Sequence, residues 1–371
     1  MKLKLVTLFF LVSFFEFAIA EKIFTSDKHS YLIETVIEGL EHPWSIEFTP
    51  DKKVLIAERP GRLRILVNGK LSEPIKGLPN IKAKGQGGLL DIALDPDFSS
   101  NKTLFFSYSA GNMFGVGTEV ATARLVNNGL KDIKVLFKAL PKSKGGRHFG
   151  SRLLLTNDNR LYITLGDRGE MERAQDISDH AGSMIRINKD GSIPENNPFV
   201  KNSNAKPEIY TYGNRNIQGI ALHPTTNQVW TIEHGPQGGD ELNLMRPGIN
   251  YGWPIITYGV NYGTGTKIGE GTHKNNMSQP VYYWVPSIAT SSLLFYNGEK
   301  FPDWKGDVFV SSLKFGQLAR LEMLDNKVIQ EERLINGAAG RIREVKEGPD
   351  GLLYILIDDT NGKLLRLKPY N

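Results

Sequence analysis

The segments RHFGSRLLL (147–155) and LYITLGD (161–167) set a histidine and an aspartate at the two ends of a hairpin-like stretch. His148 opens the first apolar run and Asp167 ends the second, so antiparallel pairing brings them side by side. A carboxylate beside an imidazole fixes its tautomer and raises the basicity of the other nitrogen, as a general base requires. The same pair also serves as a structural hydrogen bond at a hairpin end, so the neighbouring motifs matter. YGNRNIQGIAL (212–222) supplies Arg215, Asn216 and Gln218. An arginine there offers a rigid fork suited to carboxylates and carbonyls. SSLKFG (311–316) and GRIREV (340–345) add Lys314, Arg341 and Arg343, and GQGGLLDIAL (85–94) adds Gln86. Arg341 and Arg343 are two apart and share a strand face, where two like charges are unfavourable without an anion. EHGPQGGDELNLM (233–245) sets Glu233, Asp240 and Glu241 beside Gly235 and Pro236. Carboxylates and carbonyls of this kind are the hard-oxygen donors that Ca²⁺ takes, although a solvated acidic turn has the same composition and the spacing is not that of an EF-hand. YGWPIITYGVNYGTG (251–265) offers Trp253, Tyr258 and Tyr262, either to cover a flat ligand or to cap a rim.

These residues need a scaffold that gathers distant segments, and the chain contains one. Six blocks repeat two apolar runs joined by a tight polar turn: Trp44–Glu58, Gly88–Tyr108, Gly150–Asp167, Gln218–Gly235, Ser291–Leu313 and Arg343–Asp358. Each is followed by another short apolar or alternating stretch, at 61–66, 121–126, 183–188, 241–245, 316–323 and 362–368. Such runs, punctuated by Pro, Asp, Asn and Gly, read as hairpins, and their repetition reads as a propeller. The expected fold is therefore all-β, a six-bladed β-propeller of four-stranded antiparallel blades. If the Pro-Asp turns occupy one face, the starts of first strands and ends of second strands meet on the other. Gln86, His148, Arg215, Asn216, Gln218, Arg341 and Arg343 fall at the strand starts and Glu58, Asp167, Arg168, Glu233, His234 and Lys314 at the strand ends, so one rim carries the chemistry and the turn face carries solvated residues. The strand Tyr31–Ile37 belongs to no block and is expected to complete the last blade, closing the ring.

Residues 1–20 are expected to be a cleaved signal peptide. Lys2 and Lys4 precede the apolar run Leu5–Phe15, and Ala18-Ile19-Ala20 is a cleavage site. The run is too short to span a bilayer. An exported, periplasmic or secreted chain without membrane insertion follows, with 21–371 as one domain. The absence of cysteine excludes disulfides and thiolate metal sites. The formal charge of +5, about +4 without the leader, is interspersed, and no basic run interleaved with aromatics points to nucleic acid. No Walker, HExxH or G-x-S-x-G motif occurs, and the glycines at 263, 265 and 269 have the wrong spacing and context for a nucleotide loop. The excess of cations on the proposed rim implies an anionic ligand in its mouth.

Taken in order, GQGGLLDIAL, RHFGSRL, LYITLGD, YGNRNIQGIAL, EHGPQGGDE, NYGWP, SSLK and GRIREV resemble the soluble pyrroloquinoline-quinone (PQQ) sugar dehydrogenases, closest to their periplasmic aldose branch. The resemblance covers roughly 40 to 368. It implies that Lys314, Arg341 and Arg343 hold the carboxylates of PQQ, with Gln86, Arg215, Asn216 and Gln218 around it and Tyr262 packed on it. It implies His148 as base, Asp167 as its orienting group and Arg215 as the group polarising the quinone. It further implies Ca²⁺ on the Gly235 and Pro236 carbonyls, and Glu241 with Tyr251 at a second calcium position. The reaction implied is oxidation of an aldose at its anomeric hydroxyl to the lactone, with electrons passed to an external acceptor. Arg147 stands where the glucose-specific branch has Asp, which argues against glucose specificity and that branch's dimer, and for a monomer. Two other readings compete: a calcium-dependent propeller hydrolase of lactonase type, and a non-catalytic propeller that binds a partner on its rim.

Overall fold

Strand alternation decides which neighbour each side chain meets. In the second blade, Leu104 and Phe106 pack against Leu55 and Leu63 of the first, while Phe105, between them in sequence, packs against Leu153 and Leu161 of the third. Period-two patterning thus gives every blade two apolar faces, one for each neighbour. The computed structural model describes residues 22–370, so the proposed leader at 1–20 lies outside the described residues. Among the described residues the strands form six antiparallel sheets. Their innermost strands are Pro43–Phe48, Leu89–Leu94, Leu153–Leu155, Ile217–Leu222, Thr290–Phe295 and Ile342–Glu347. These six begin the first to sixth blades. No described helix is long and apolar enough to cross a membrane.

The N-terminal strand behaves as the sequence predicts. Ser30–Leu40 pairs with the C-terminal strand Gly362–Pro369 and so closes the ring inside the sixth blade. A short strand, Ile23–Thr25, adds a fifth member to that sheet, which departs from the expected four. The blade-to-blade core there joins Phe309, Ile342, Ile355 and Leu364 to Ile46 and Ile56.

A single buried side chain crosses the central channel. Arg152, at the start of the third blade, donates from Nε to the Gln218 carbonyl (2.9 Å) and from Nη1 to Asp91 (3.2 Å) and Glu344 (2.9 Å). Its Nη2 donates to the carbonyls of Ser291 (2.9 Å) and Arg343 (3.2 Å). Its guanidinium lies 4.0 Å from the centre of the Trp44 ring. One arginine thereby touches every other blade. It lies between a cavity on the site face and another of about 480 Å³ lined by Pro50 and Pro96 of the turns, with Glu47, Asp91, Asp95, Glu344 and Lys346. The turn face is thus not merely solvated, as the sequence reading had it.

Candidate active site

His148 and Asp167 meet as expected, but not as strand ends. The paired strands are only Leu153–Leu155 and Arg160–Thr164, and both residues lie in the loops beyond them. The loop before the first strand is tightly wound, with His148 at φ 53° and Ser151 at φ 84°. Left-handed backbone of this kind is uncommon outside glycine and clusters at functional sites. Gly166 permits the approach: a Cβ there would lie 2.4 Å from the His148 carbonyl oxygen. The result is an Nδ1–Oδ1 separation of 2.6 Å. Asp167 also accepts from the Gly169 N–H (2.7 Å) and the Trp253 indole N–H (2.8 Å). Gln86 Oε1 accepts from the His148 backbone N–H at 2.7 Å, which ties the second blade to the loop.

The electrostatics assign the proton. Burial alone raises the Asp167 pKa, but the His148 hydrogen bond and charge, the Gly169 N–H and Arg215 outweigh it and hold the carboxyl below its usual value. It is ionised and can only accept, so His148 Nδ1 carries the hydrogen and Nε2 keeps its lone pair. Burial lowers the His148 pKa below 6.5, with Asp167 acting against it and Arg215 and Arg147 reinforcing it. The imidazole is therefore neutral at neutral pH. Trp253 was an aromatic-cover candidate in the sequence; it is buried, and its indole N–H holds the aspartate. Trp253→Phe is expected to leave Asp167 Oδ2 without that donor, at a cost of about 1–3 kcal/mol. Urea denaturation checks the stability, and histidine NMR checks that the His148 pKa moves.

Beside this pair opens a cavity of about 470 Å³, within the range of cofactor pockets. Gln86, Phe149, Gly150, Asn216, Gln218, His234, Arg341 and Arg343 line it, with Trp44, Arg59 and Asp358. Arg341 and Arg343 share an internal anion: their Nη2 atoms lie 3.5 and 3.2 Å from Asp358 Oδ2. Burial opposes ionisation of Asp358, yet Arg343, a His42 hydrogen bond and Arg341 hold its pKa at about 2. Two guanidinium groups against one carboxylate leave the wall cationic. Arg343 Nη1 also donates to Gln218 Oε1 (3.2 Å), whose amide donates to the Gly150 carbonyl (3.3 Å). Asn216 Oδ1 accepts from the Gly150 N–H at 3.1 Å.

Arg215 sits 5.3 Å over the Trp253 ring and donates to the His234 carbonyl (3.2 Å). Its Nε and that of Arg343 are buried without a hydrogen-bond partner. Arg343 lines the cavity, whereas Arg215 lines the small recess with Glu233; an orphaned cationic donor in the cavity wall fits an anionic ligand that would accept from it. His234 was placed on the rim by the sequence but given no role there. Burial, then the Arg215 and Arg343 charges, lower its pKa to about 3, and its Nε2–H is directed at the Thr290 carbonyl (2.5 Å). Lys314 is not brought into the cavity: it is exposed, with its ammonium over the Phe315 ring. Leu313 and Ala289 line that side instead.

The acidic loop divides its labour. Asp240 accepts from the Gly235 and Ala289 N–H groups (2.9 and 2.7 Å), so it shapes the loop. Gly235 must be glycine, because a Cβ would lie 2.1 Å from the Gly239 carbonyl oxygen. The Pro236 carbonyl accepts from Tyr262 Oη (2.9 Å) and Ser287 Oγ (3.3 Å), while no donor to the Gly235 carbonyl is found among the described residues. Tyr262 is two-thirds exposed and reaches the loop through its hydroxyl, not by lining the cavity. Glu233, buried, and Glu241, half-buried, are neighbours in a small recess with Tyr251 and Arg215. Burial raises both, Glu233 to about 7 and Glu241, with the Glu233 charge added, to about 8. Asn243 donates to both carboxylates while its Oδ1 is buried without a partner. Two confined carboxylates and an orphaned acceptor have the donor chemistry of a hard-cation site. No group of three or more His, Asp or Glu poised for a metal occurs among the described residues, so backbone oxygens would complete any such set.

The aldose sugar dehydrogenase YliI of Escherichia coli is 42% identical over 346 residues, covering 91% of this chain and 93% of that one. Quinoprotein glucose dehydrogenase B of Acinetobacter calcoaceticus is 26% identical, covering 89% and 86%. The crystal structure of the soluble aldose sugar dehydrogenase from Escherichia coli in the apo-form superposes with a TM-score of 0.89 at 41% identity, over 92% of this chain and 100% of that one. The Glucose / Sorbosone dehydrogenase family model matches residues 40–366, and the chain belongs to that family of oxidoreductases.

Proposed function

We propose that the protein is an exported aldose dehydrogenase that uses PQQ and Ca²⁺ to oxidise the anomeric hydroxyl of a sugar to the lactone. The observation that carries the reading is the neutral, oriented His148 beside a cationic cavity in whose wall the buried Arg343 keeps an unpaired donor. PQQ, a planar ortho-quinone with three carboxylates, supplies hydride-accepting chemistry when bound. Arg341 and Arg343 would hold its carboxylates, with Gln218 and Asn216 beside them and Arg215 toward the reacting end. The Gly235 and Pro236 carbonyls would offer oxygen ligands to Ca²⁺, and Glu241 with Tyr251 to a second ion. His148 Nε2 takes the proton from the anomeric hydroxyl as C1 loses hydride. Asp167, held by Trp253 and Gly169, steadies the imidazolium that forms. The electrons leave to an external acceptor.

The rival readings fare less well. A propeller hydrolase wants a metal on several carboxylates at the channel centre, and there Asp91 and Glu344 are bound to Arg152. A purely binding propeller has no use for an oriented base next to a cationic cavity. The test is reconstitution: metal-stripped protein is mixed with PQQ and CaCl₂, desalted, and given an aldose panel with an acceptor dye. Dye reduction requiring both additions, with quinone absorbance retained after desalting, is the expected result. Neither signal appearing would overturn the cofactor assignment.

A further inference from the structure

A second surface on the site face is unused by the chemistry. The hairpin between strands Thr103–Asn112 and Gly115–Val126 ends in Met113 and Phe114, which are 83% and 75% exposed. Beside this tip runs a groove of about 500 Å³ lined by Lys82, Lys84 and Lys144 with Met113. No ion-pair partner of these three lysines is found among the described residues. Met113 and Phe114 together form a small contiguous apolar patch bordering a groove, the arrangement of an interaction site rather than of scattered single residues. The groove is also close to the cavity. Lys84 leads directly into Gly85 and Gln86, which line the cavity. The Gln86 N–H is bonded to the Gly146 carbonyl (2.8 Å), two residues before His148. One layer of loop separates the two. Its backbone is pinned, with the Lys82 N–H on the Ser109 carbonyl (2.9 Å) and the Val116 N–H on that of Ser143 (2.8 Å).

We propose that this tip and groove dock an acidic electron-carrier protein, which takes the electrons released at the cavity. The proposal rests on the dehydrogenase reading above. Oxidation of one aldose to its lactone releases two electrons and two protons; two oxidised one-electron carriers are reduced in turn, and the protons go to solvent. An apolar tip flanked on one side by unpaired lysines matches a partner with an apolar contact beside an acidic patch, and charge of this kind speeds weak, brief redox encounters. A bilayer is the other candidate for an apolar tip with lysines. It is flat, however, and leaves the concave groove unfilled, whereas a protein side chain fills it.

The experiment uses the quinone-loaded protein with three acceptors: a small dye, an acidic c-type cytochrome and a basic c-type cytochrome. K82E/K84E/K144E and Phe114→Ser are compared with wild type. The acidic cytochrome is expected to be reduced faster than the basic one, with a rate that falls on adding salt. The triple variant is expected to slow it about tenfold and to favour the basic cytochrome, and Phe114→Ser to slow both. Dye reduction stays the same in every variant. An acidic cytochrome rate untouched by the triple variant overturns the proposal. So does Phe114-dependent flotation with phosphatidylglycerol vesicles without any change in cytochrome rates. Failure of wild type to reduce the dye overturns instead the dehydrogenase reading on which the proposal rests.

Discussion

His148→Ala lowers turnover of the quinone-loaded protein by about 10²–10⁴-fold, the usual worth of a positioned general base. The fold is expected to tolerate the change, because Asp167 keeps its bonds from Gly169 and Trp253. Cofactor retention therefore survives while the rate collapses, and steady-state kinetics beside quinone absorbance separates the two. Asp167→Asn gives a companion result with a defined sign. In wild type, burial sets the His148 pKa below 6.5 and Asp167 raises it again. Removing the charge lets the pKa fall further, so the acid limb of kcat/KM moves to lower pH. The plateau also drops, since the base is weaker and its tautomer is no longer fixed. An acid limb that stays in place in Asp167→Asn would show that another group governs it.

Arg152→Met has the largest expected effect on stability. It leaves Asp91 and Glu344 buried without their cation and strips hydrogen bonds from the carbonyls of Gln218, Ser291 and Arg343. Breaking a buried ion pair from one side typically costs about 3–5 kcal/mol. Urea denaturation reads the loss directly, and a change below about 1 kcal/mol would mean that the crossing arginine is dispensable. The loss has a pH signature. Burial raises Glu344 to about 7 even with Arg152 opposing it. A carboxyl raised in the folded state binds more protons there than in the unfolded chain between about 4.5 and its folded pKa, so stability falls as pH rises across that window. Without Arg152 the window extends upward, and the variant is expected to go on losing stability to a higher pH than wild type.

The blade count and the closing strand were legible because both rest on local signals, period-two alternation and turn residues. The His148–Asp167 pair was legible because hairpin pairing is local too. What lay hidden depended on the ring. Arg152 reads in sequence as one more arginine before an apolar run; its acids at 91 and 344 join it only when six blades close. Asp358 marked the end of a block, and its role between Arg341 and Arg343 needed the sixth hairpin in three dimensions. Trp253 was visible as an aromatic in a glycine-rich loop, but not the direction of its N–H. The loop that carries His148 was read as strand because Phe149 and Leu153–Leu155 look continuous; the left-handed residues between them carry no strong composition signal. Lys314 had the right position in its block, yet the backbone turns its side chain outward over Phe315.

The strand that seals the ring also sets a timetable for manufacture. Ser30–Leu40 is among the earliest segments to be synthesised, and its partner Gly362–Pro369 is among the last. Until Gly362–Pro369 is in place, the sixth blade lacks a strand and Ser30–Leu40 has only the short Ile23–Thr25 beside it. A waiting β-edge is adhesive toward other chains. Nascent or truncated forms of this protein should therefore be the ones that need a chaperone's company, and a deletion of only the final strand should be far more harmful than its eight residues suggest.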